Sequence, residues 1–245
     1  VTGPAAARTA IVTGGSSGIG LAVGRRLVAD GYDVLLTART ASKLEAAAAE
    51  LGARWVAADS ADPEGFAAVV AAAGEVDLLV HAAGVLEGTF VRKEQLATFE
   101  SVLRTNLTSA FVVSQAALRS MPAGGRIVFL SSSSAHAPQP GKSAYTASKA
   151  GLNAFAGALA KEVERDGISV HVVTTGPVAT PMLDDVHFPM RTLAVDDVVQ
   201  AVVWLDTLPP NVVLPEIEVS SVDAGPFAPE PLVPEAARKL GRTTF

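Results

Sequence analysis

The chain has 245 residues, of which 49% are apolar and 18% charged, with a formal net charge of -6. That balance suits a single α/β domain with a large core and excludes an intrinsically disordered chain. The 19 Lys and Arg residues are scattered, which argues against a nucleic-acid partner, and with no cysteine there are no disulfides, thiol nucleophiles or Cys-based metal sites. No metal site of any kind is expected. A cytoplasmic location is compatible with this composition. The stretch from Val1 to Arg8 has one basic residue and no apolar core, so it does not read as a signal peptide. No apolar run approaches the length of a membrane span.

Short β-branched runs occur at Thr9–Thr13, Tyr32–Thr37, Arg54–Ala57, Leu78–His81, Arg126–Ser131, Ser169–Thr174 and Glu216–Val219. Between most of them apolar residues recur at helical spacing, as in Leu21, Val23, Leu27 and Val28, then Leu44 to Leu51, then Gly151, Leu152, Phe155 and Leu159. Alternation of this kind predicts βαβ units and a parallel sheet, and near-continuous apolar strands predict that both faces are covered. The expected fold is a doubly wound sheet of about seven strands with helices on both faces, forming one domain over residues 1–225. Pro226, Pro229, Pro231 and Pro234 punctuate residues 226–245, which read as an extended arm with a short helix or as a poorly ordered terminus.

The first strand runs directly into Thr13-Gly14-Gly15-Ser16-Ser17-Gly18-Ile19-Gly20, and a helix pattern follows. Glycines are needed where a chain turns tightly and lets its backbone approach a pyrophosphate, and the following helix start offers free N–H groups to phosphate. Gly14, Ser16, Ser17, Gly18, Ile19 and Gly20 are therefore candidate cofactor contacts in a Rossmann-type fold. The second strand ends in Thr37-Ala38-Arg39-Thr40. An acidic residue here would bind a ribose 2′-OH, whereas the Arg39 guanidinium suits a 2′-phosphate. NADP(H) is thus expected rather than NAD(H), with hydroxyl support from Thr37, Thr40 and Ser42.

Further along, Tyr145 and Lys149 stand four residues apart at the start of a helix and face the same way. A nearby ammonium favours the phenolate, and a tyrosine tuned toward neutrality can exchange a proton with a carbonyl or alcohol oxygen. The serine run Ser131-Ser132-Ser133-Ser134 follows the fifth strand, and Ser132 lies thirteen residues before Tyr145.

The glycine spacing at Gly14, Gly18 and Gly20, together with the serine, tyrosine and lysine, resembles the short-chain dehydrogenase/reductase family over roughly Ala10 to Val219. The resemblance implies an oxidoreductase that passes a hydride between NADP(H) and a small carbonyl or alcohol substrate. It makes Tyr145 the acid/base, Lys149 its tuning group, Ser132 the serine that positions the substrate oxygen, and Asn106 a relay residue at a helix kink. It also implies cofactor contacts from Asp59, Ala83, Gly84, Gly176, Val178 and Thr180. Asp59 has the alternative of capping the next helix.

The pattern departs from the family at two points. His81-Ala82-Ala83-Gly84 replaces Asn-Asn-Ala-Gly, so two strand-tying amides are lost, and His81 is expected to be a satisfied core residue. Thr175 replaces a proline before Gly176, which puts the stiffness of that loop in question. Pro181 to Leu193 is the expected substrate lid, containing Met182, Leu183, His187, Phe188, Met190 and Arg191. Arg191 is either a carboxylate contact or a surface residue, and His136 either faces substrate or has no role. The ending, with a helix around Val195 to Leu205 and the strand Glu216–Val219, looks like the branch of NADP-dependent 3-hydroxy acid and serine dehydrogenases. A homodimer or homotetramer is also implied. Small residues at Ala150, Gly151, Ala154, Gly157 and Ala158 would allow close helix packing between subunits or against the sheet of one subunit. The rival readings are a non-catalytic NADP(H) sensor and a scaffold subunit with the same fold.

Overall fold

A computed structural model describes residues 7–184 and 191–221. The proline-rich segment 226–245 and the lid residues His187, Phe188 and Met190 lie outside the described residues. In chain order the main elements are β1 (Thr9–Thr13), α1 (Gly18–Ala29), β2 (Asp33–Ala38), α2 (Ala41–Leu51), β3 (Arg54–Ala57), α3 (Pro63–Ala73) and β4 (Leu78–His81). Then come α4 (Leu96–Leu103), a π-turn (Arg104–Thr108), α5 (Ser109–Ala117), β5 (Arg126–Ser132), α6 (Ser143–Val163), β6 (Ser169–Thr175), α7 (Val195–Asp206) and β7 (Glu216–Val219).

The seven strands form one sheet in the order β3-β2-β1-β4-β5-β6-β7. Every pairing is parallel, from Ile11 opposite Leu35 to Val173 opposite Ile217. Side chains alternate across each strand, so each strand feeds two cores. Ile11, Leu79, Ile127 and Phe129 pack with α3, α5 and α6 on one face. Val12, Val80, Val128 and Leu130 pack with α1, α2 and α7 on the other. Double coverage is the reason the central strands read as unbroken apolar runs. The chain winds outward from β1 to β3, then restarts at β4 on β1's other side. The crevice opens where those two directions diverge, beyond the carboxyl ends of β1 and β4.

β5 and β6 each continue one residue past the expected end, and Ser132 and Thr175 pair with each other. Thr175 also pairs with Val219. A proline at 175 would bring no N–H to this ladder, so the threonine extends the sheet at the lip of the crevice. The expected loss of stiffness is offset by strand pairing on both sides.

Candidate active site

A cleft of about 1610 Å³ opens at the carboxyl ends of the strands. Of the residues expected to hold cofactor or perform chemistry, Asn106, Thr37 and Ser42 do not line it, Asn106 and Thr37 being buried, and the others do. At one end is the glycine turn. A Cβ at Gly20 would sit 2.4 Å from the Gly14 carbonyl oxygen, so the turn closes only with glycine there. Gly14 itself has φ +66°, and a Cβ on it would meet the Ala83 nitrogen at 2.9 Å. The turn delivers the chain to α1, whose first turn has no acidic residue and whose Ser17 N-cap makes no side-chain hydrogen bond. Its leading N–H groups are thereby left for an anion. Arg39, just past β2, lines the same end of the cleft. A backbone cradle with a helix start and a guanidinium fits a dinucleotide bearing a 2′-phosphate.

Asp59 also lines this end, beside Arg39. It does not cap the next helix: Asp62 does, accepting from the Glu64 and Gly65 N–H groups, with Pro63 in the first turn. Asp59 Oδ1 accepts from the Ala61 N–H at 2.9 Å, and Oδ2 takes a 2.6 Å ion pair from Arg104. Those partners hold its carboxyl below the usual range although burial opposes them.

Tyr145 and Lys149 stand one turn apart on α6, both buried. Lys149 Nζ lies 5.8 Å from the Tyr145 ring centre and donates to the Leu130 carbonyl at 2.8 Å. Burial lowers the Lys149 pKa to about 8. Burial pushes the Tyr145 phenol up, and the Ser132 hydroxyl beside it pulls the other way. In this structure the Lys149 ammonium is directed at the Leu130 carbonyl of β5. Ser132 accepts from the Ser134 N–H at 3.2 Å, leaving its own proton for a neighbour. The Ser131 hydroxyl turns away to Asn153 Oδ1 at 2.6 Å.

Asn106 sits in the π-turn between α4 and α5, which is the expected kink. Its side-chain amide clamps Val85, accepting from the N–H at 2.8 Å and donating to the carbonyl at 3.0 Å. It also donates to Ser148 Oγ, which in turn donates to the Tyr145 carbonyl at 2.7 Å. Asn106 thus joins the loop after β4 to the backbone that carries the tyrosine. Ser148 was not singled out from the sequence, and its place three residues after Tyr145, on the same helix face, is the available signal.

His81 is buried, with both ring nitrogens engaged. Thr13 Oγ1 accepts from the Ala83 N–H at 3.1 Å and lies 2.8 Å from His81 Nδ1, which accepts its proton when the other ring nitrogen carries the hydrogen. On the other side Ser109 Oγ donates to the Thr105 carbonyl at 2.6 Å, so His81 Nε2 is the donor to Ser109 at 2.9 Å. The Ser109 hydroxyl, its proton spent on Thr105, therefore favours the Nε2–H tautomer. Desolvation, helped by the Lys149 charge, lowers the His81 pKa to about 3, so the ring is neutral. One imidazole links β1 and β4 to the first residue of α5, whose hydroxyl reaches back to Thr105 of the π-turn. His136 does not face the cleft; it is exposed and pairs with Glu216 at 2.6 Å, which raises its pKa.

The family model for short chain dehydrogenases matches residues 8–189. The chain is 36% identical over 185 residues to the 3-oxoacyl-[acyl-carrier-protein] reductase MabA of Mycobacterium tuberculosis, covering 73% of this chain and 72% of that protein. It is 35% identical over 212 residues to the cyclic-di-GMP-binding biofilm dispersal mediator protein of Escherichia coli, covering 81% and 89% respectively. A solved short chain dehydrogenase from Burkholderia cenocepacia, in complex with NADP, superposes with a TM-score of 0.78 at 33% identity over 87% of this chain and 95% of that one. The chain belongs to the short-chain dehydrogenase family.

Proposed function

We propose that this chain is an NADP(H)-dependent oxidoreductase interconverting a carbonyl compound and its alcohol. The observation that carries the reading is the meeting of Ser132 and Tyr145 on the cleft wall, with Lys149 buried behind them and the glycine turn at the far end. The nicotinamide, when bound, gives or takes the hydride. The residues of the chain manage the oxygen. Ser132 holds it by a hydrogen bond, and Tyr145 gives up its phenolic proton as the C=O electron pair moves onto that oxygen. Burial keeps the phenol protonated at neutral pH, which suits the reducing direction. Lys149, an ammonium for the most part below pH 8, supplies positive charge behind the emerging phenolate. Arg39, and the NADP in the Burkholderia relative, support NADP(H) over NAD(H).

A non-catalytic nucleotide sensor or a scaffold is the rival reading, and the E. coli relative is named for binding cyclic-di-GMP. Neither role has a use for a buried lysine behind a buried tyrosine. An oligomer is part of the proposal, supported by the exposed small residues of α6.

The test is Tyr145→Phe, assayed against a panel of ketones, aldehydes and alcohols with each cofactor. Turnover should fall by about 10²- to 10⁴-fold while NADPH binding, followed by fluorescence, persists. Unchanged turnover sinks the mechanism. Preference for NADH over NADPH sinks the role of Arg39.

A further inference from the structure

At the dinucleotide end of the cleft an acid stands beside the guanidinium assigned to the 2′-phosphate. β2 and β3 run parallel with Ala38 opposite Ala57, and the Ala58 N–H donates to the Ala38 carbonyl at 3.1 Å. Arg39 and Asp59 are the next residues beyond that bond on their two strands, and both line the cleft. Neighbouring strands lie ~5 Å apart, so the two side chains start from adjacent strand ends. Burial opposes the Asp59 charge, while the Ala61 N–H, Arg104 and, last in size, Arg39 favour it, so the carboxyl stays ionised. A free carboxylate in this place works against NADP(H) in two ways. It repels a 2′-phosphate, and it competes with that phosphate for the guanidinium.

Arg104 answers both effects. It opens the π-turn and reaches back to the loop after β3, donating to Asp59 Oδ2 at 2.6 Å and to the Ala61 carbonyl at 3.2 Å. Asp59 Oδ1 accepts from the Ala61 N–H at 2.9 Å, so both carboxylate oxygens are engaged. Among the described residues Arg39 makes no hydrogen bond and no ion pair. The Arg104 and Asp59 side chains are 53% and 37% exposed, and an ion pair so exposed adds little to stability. Its effect is on the local charge that a bound cofactor meets.

We infer that Arg104 is a positioning residue that sets selectivity for NADP(H) by acting through Asp59. It neutralises and holds the carboxylate, which leaves Arg39 available to the 2′-phosphate. The inference rests on the oxidoreductase reading and on the assignment of Arg39, and it adds a second residue to the choice of cofactor. NADH carries a hydroxyl in place of that phosphate. A hydroxyl has no charge to be repelled and can donate to a carboxylate, so NADH gains little from Arg104.

The test measures Kd for NADPH and for NADH by fluorescence in the wild-type chain, Arg104→Met, Arg104→Lys and a double variant with Arg104→Met and Asp59→Asn. The readout is the Kd for NADH divided by that for NADPH, which partial loss of folded protein leaves unmoved. Arg104→Met should cut this ratio by about 10-fold, through weaker binding of NADPH. Arg104→Lys should keep most of it, because the charge remains. The double variant should recover it, because the carboxylate that Arg104 restrains is gone. A purely structural role for Arg104 predicts equal weakening of both cofactors and no recovery in the double variant. That result, or an unchanged ratio in Arg104→Met, overturns the inference and leaves Arg39 and the oxidoreductase reading standing. A wild type that prefers NADH overturns the assignment of Arg39 together with the inference, and one that binds neither cofactor overturns the oxidoreductase reading as well.

Discussion

His81 shows how one side chain serves packing, polar satisfaction and site geometry together. Its neutral ring carries a directional chain of hydrogen bonds from the Ala83 N–H to the Thr105 carbonyl, so it fixes the cleft wall against the π-turn. Its ring also meets Phe129 edge-on, with centroids 6.0 Å apart. This neutrality has a pH consequence. The folded-state pKa is about 3 against 6.5 for an unperturbed histidine. Between those values the unfolded chain holds the proton and the folded chain does not. Stability is therefore fully present above pH 6.5 and declines as the pH falls toward 3, by up to about 1.4 kcal/mol per unit. Urea unfolding at pH 7 and pH 5 should show a loss of about 2 kcal/mol traceable to this residue. His81→Asn removes the titrating group, so its stability should change less over the same interval. Identical pH slopes in the two proteins would contradict a buried neutral imidazole.

Among the elements, the π-turn has the greatest influence on the site. It interrupts what would otherwise be one helix from Leu96 to Ala117, and it places Asn106 against the loop after β4. Replacing Asn106 by Ala leaves the Val85 N–H and carbonyl and the Ser148 hydroxyl without this partner. We expect a loss of about 2 kcal/mol in urea unfolding together with reduced kcat, because the wall carrying Ala83 and Gly84 is no longer fixed to α6. A variant as stable and as active as the wild type would mean that the clamp is incidental. The elements themselves were legible in the sequence because strand and helix periods differ and the glycine turn marks their first junction. Strand ends shifted by a residue, as at Ser132 and Thr175, where pairing depends on neighbours distant in sequence. Many of the expected site residues line the cleft because they sit just past the carboxyl end of a strand or one helical turn from Tyr145, whereas Leu86, Glu87, Phe90 and Gln139, which also line it, lie on loops with no such signal. What was not legible was the partner of each side chain. The Leu130 carbonyl that takes the Lys149 ammonium at 2.8 Å is 19 residues away, and the burial of the Tyr145 phenol depends on elements from the whole sheet. Thr13 and Ser109, which orient His81, are 68 and 28 residues from it, and no local pattern connects them.

At the scale of the molecule, the doubly wound sheet accounts for the cleft but leaves one outer face unexplained. On α6 the residues that pack inward, Leu152, Ala156, Leu159 and Val163, are buried. Gly151 is pressed against the same chain, where a Cβ would meet Leu107 at 2.9 Å. Ala150, Ala154, Gly157 and Ala158 instead face outward, and a Cβ at Gly157 would meet nothing within 4 Å. Beside them Phe111 of α5 is 51% exposed, in edge-on contact with Phe155 of α6 at 6.4 Å. An exposed phenylalanine next to a strip of small residues is suited to close approach by another helix, and a second copy of this face meeting the first across a twofold axis would cover both. Such a dimer would pack α6 against α6 and so brace the helix that carries Tyr145 and Lys149. Ala154→Arg places a long charged side chain on that strip without touching the cleft. Sedimentation velocity should find the wild type as a dimer or tetramer and Ala154→Arg as a smaller species, with lower kcat as α6 loses its support. A wild type that sediments as a monomer, or an arginine variant of unchanged mass, would show that this face is not where the copies meet.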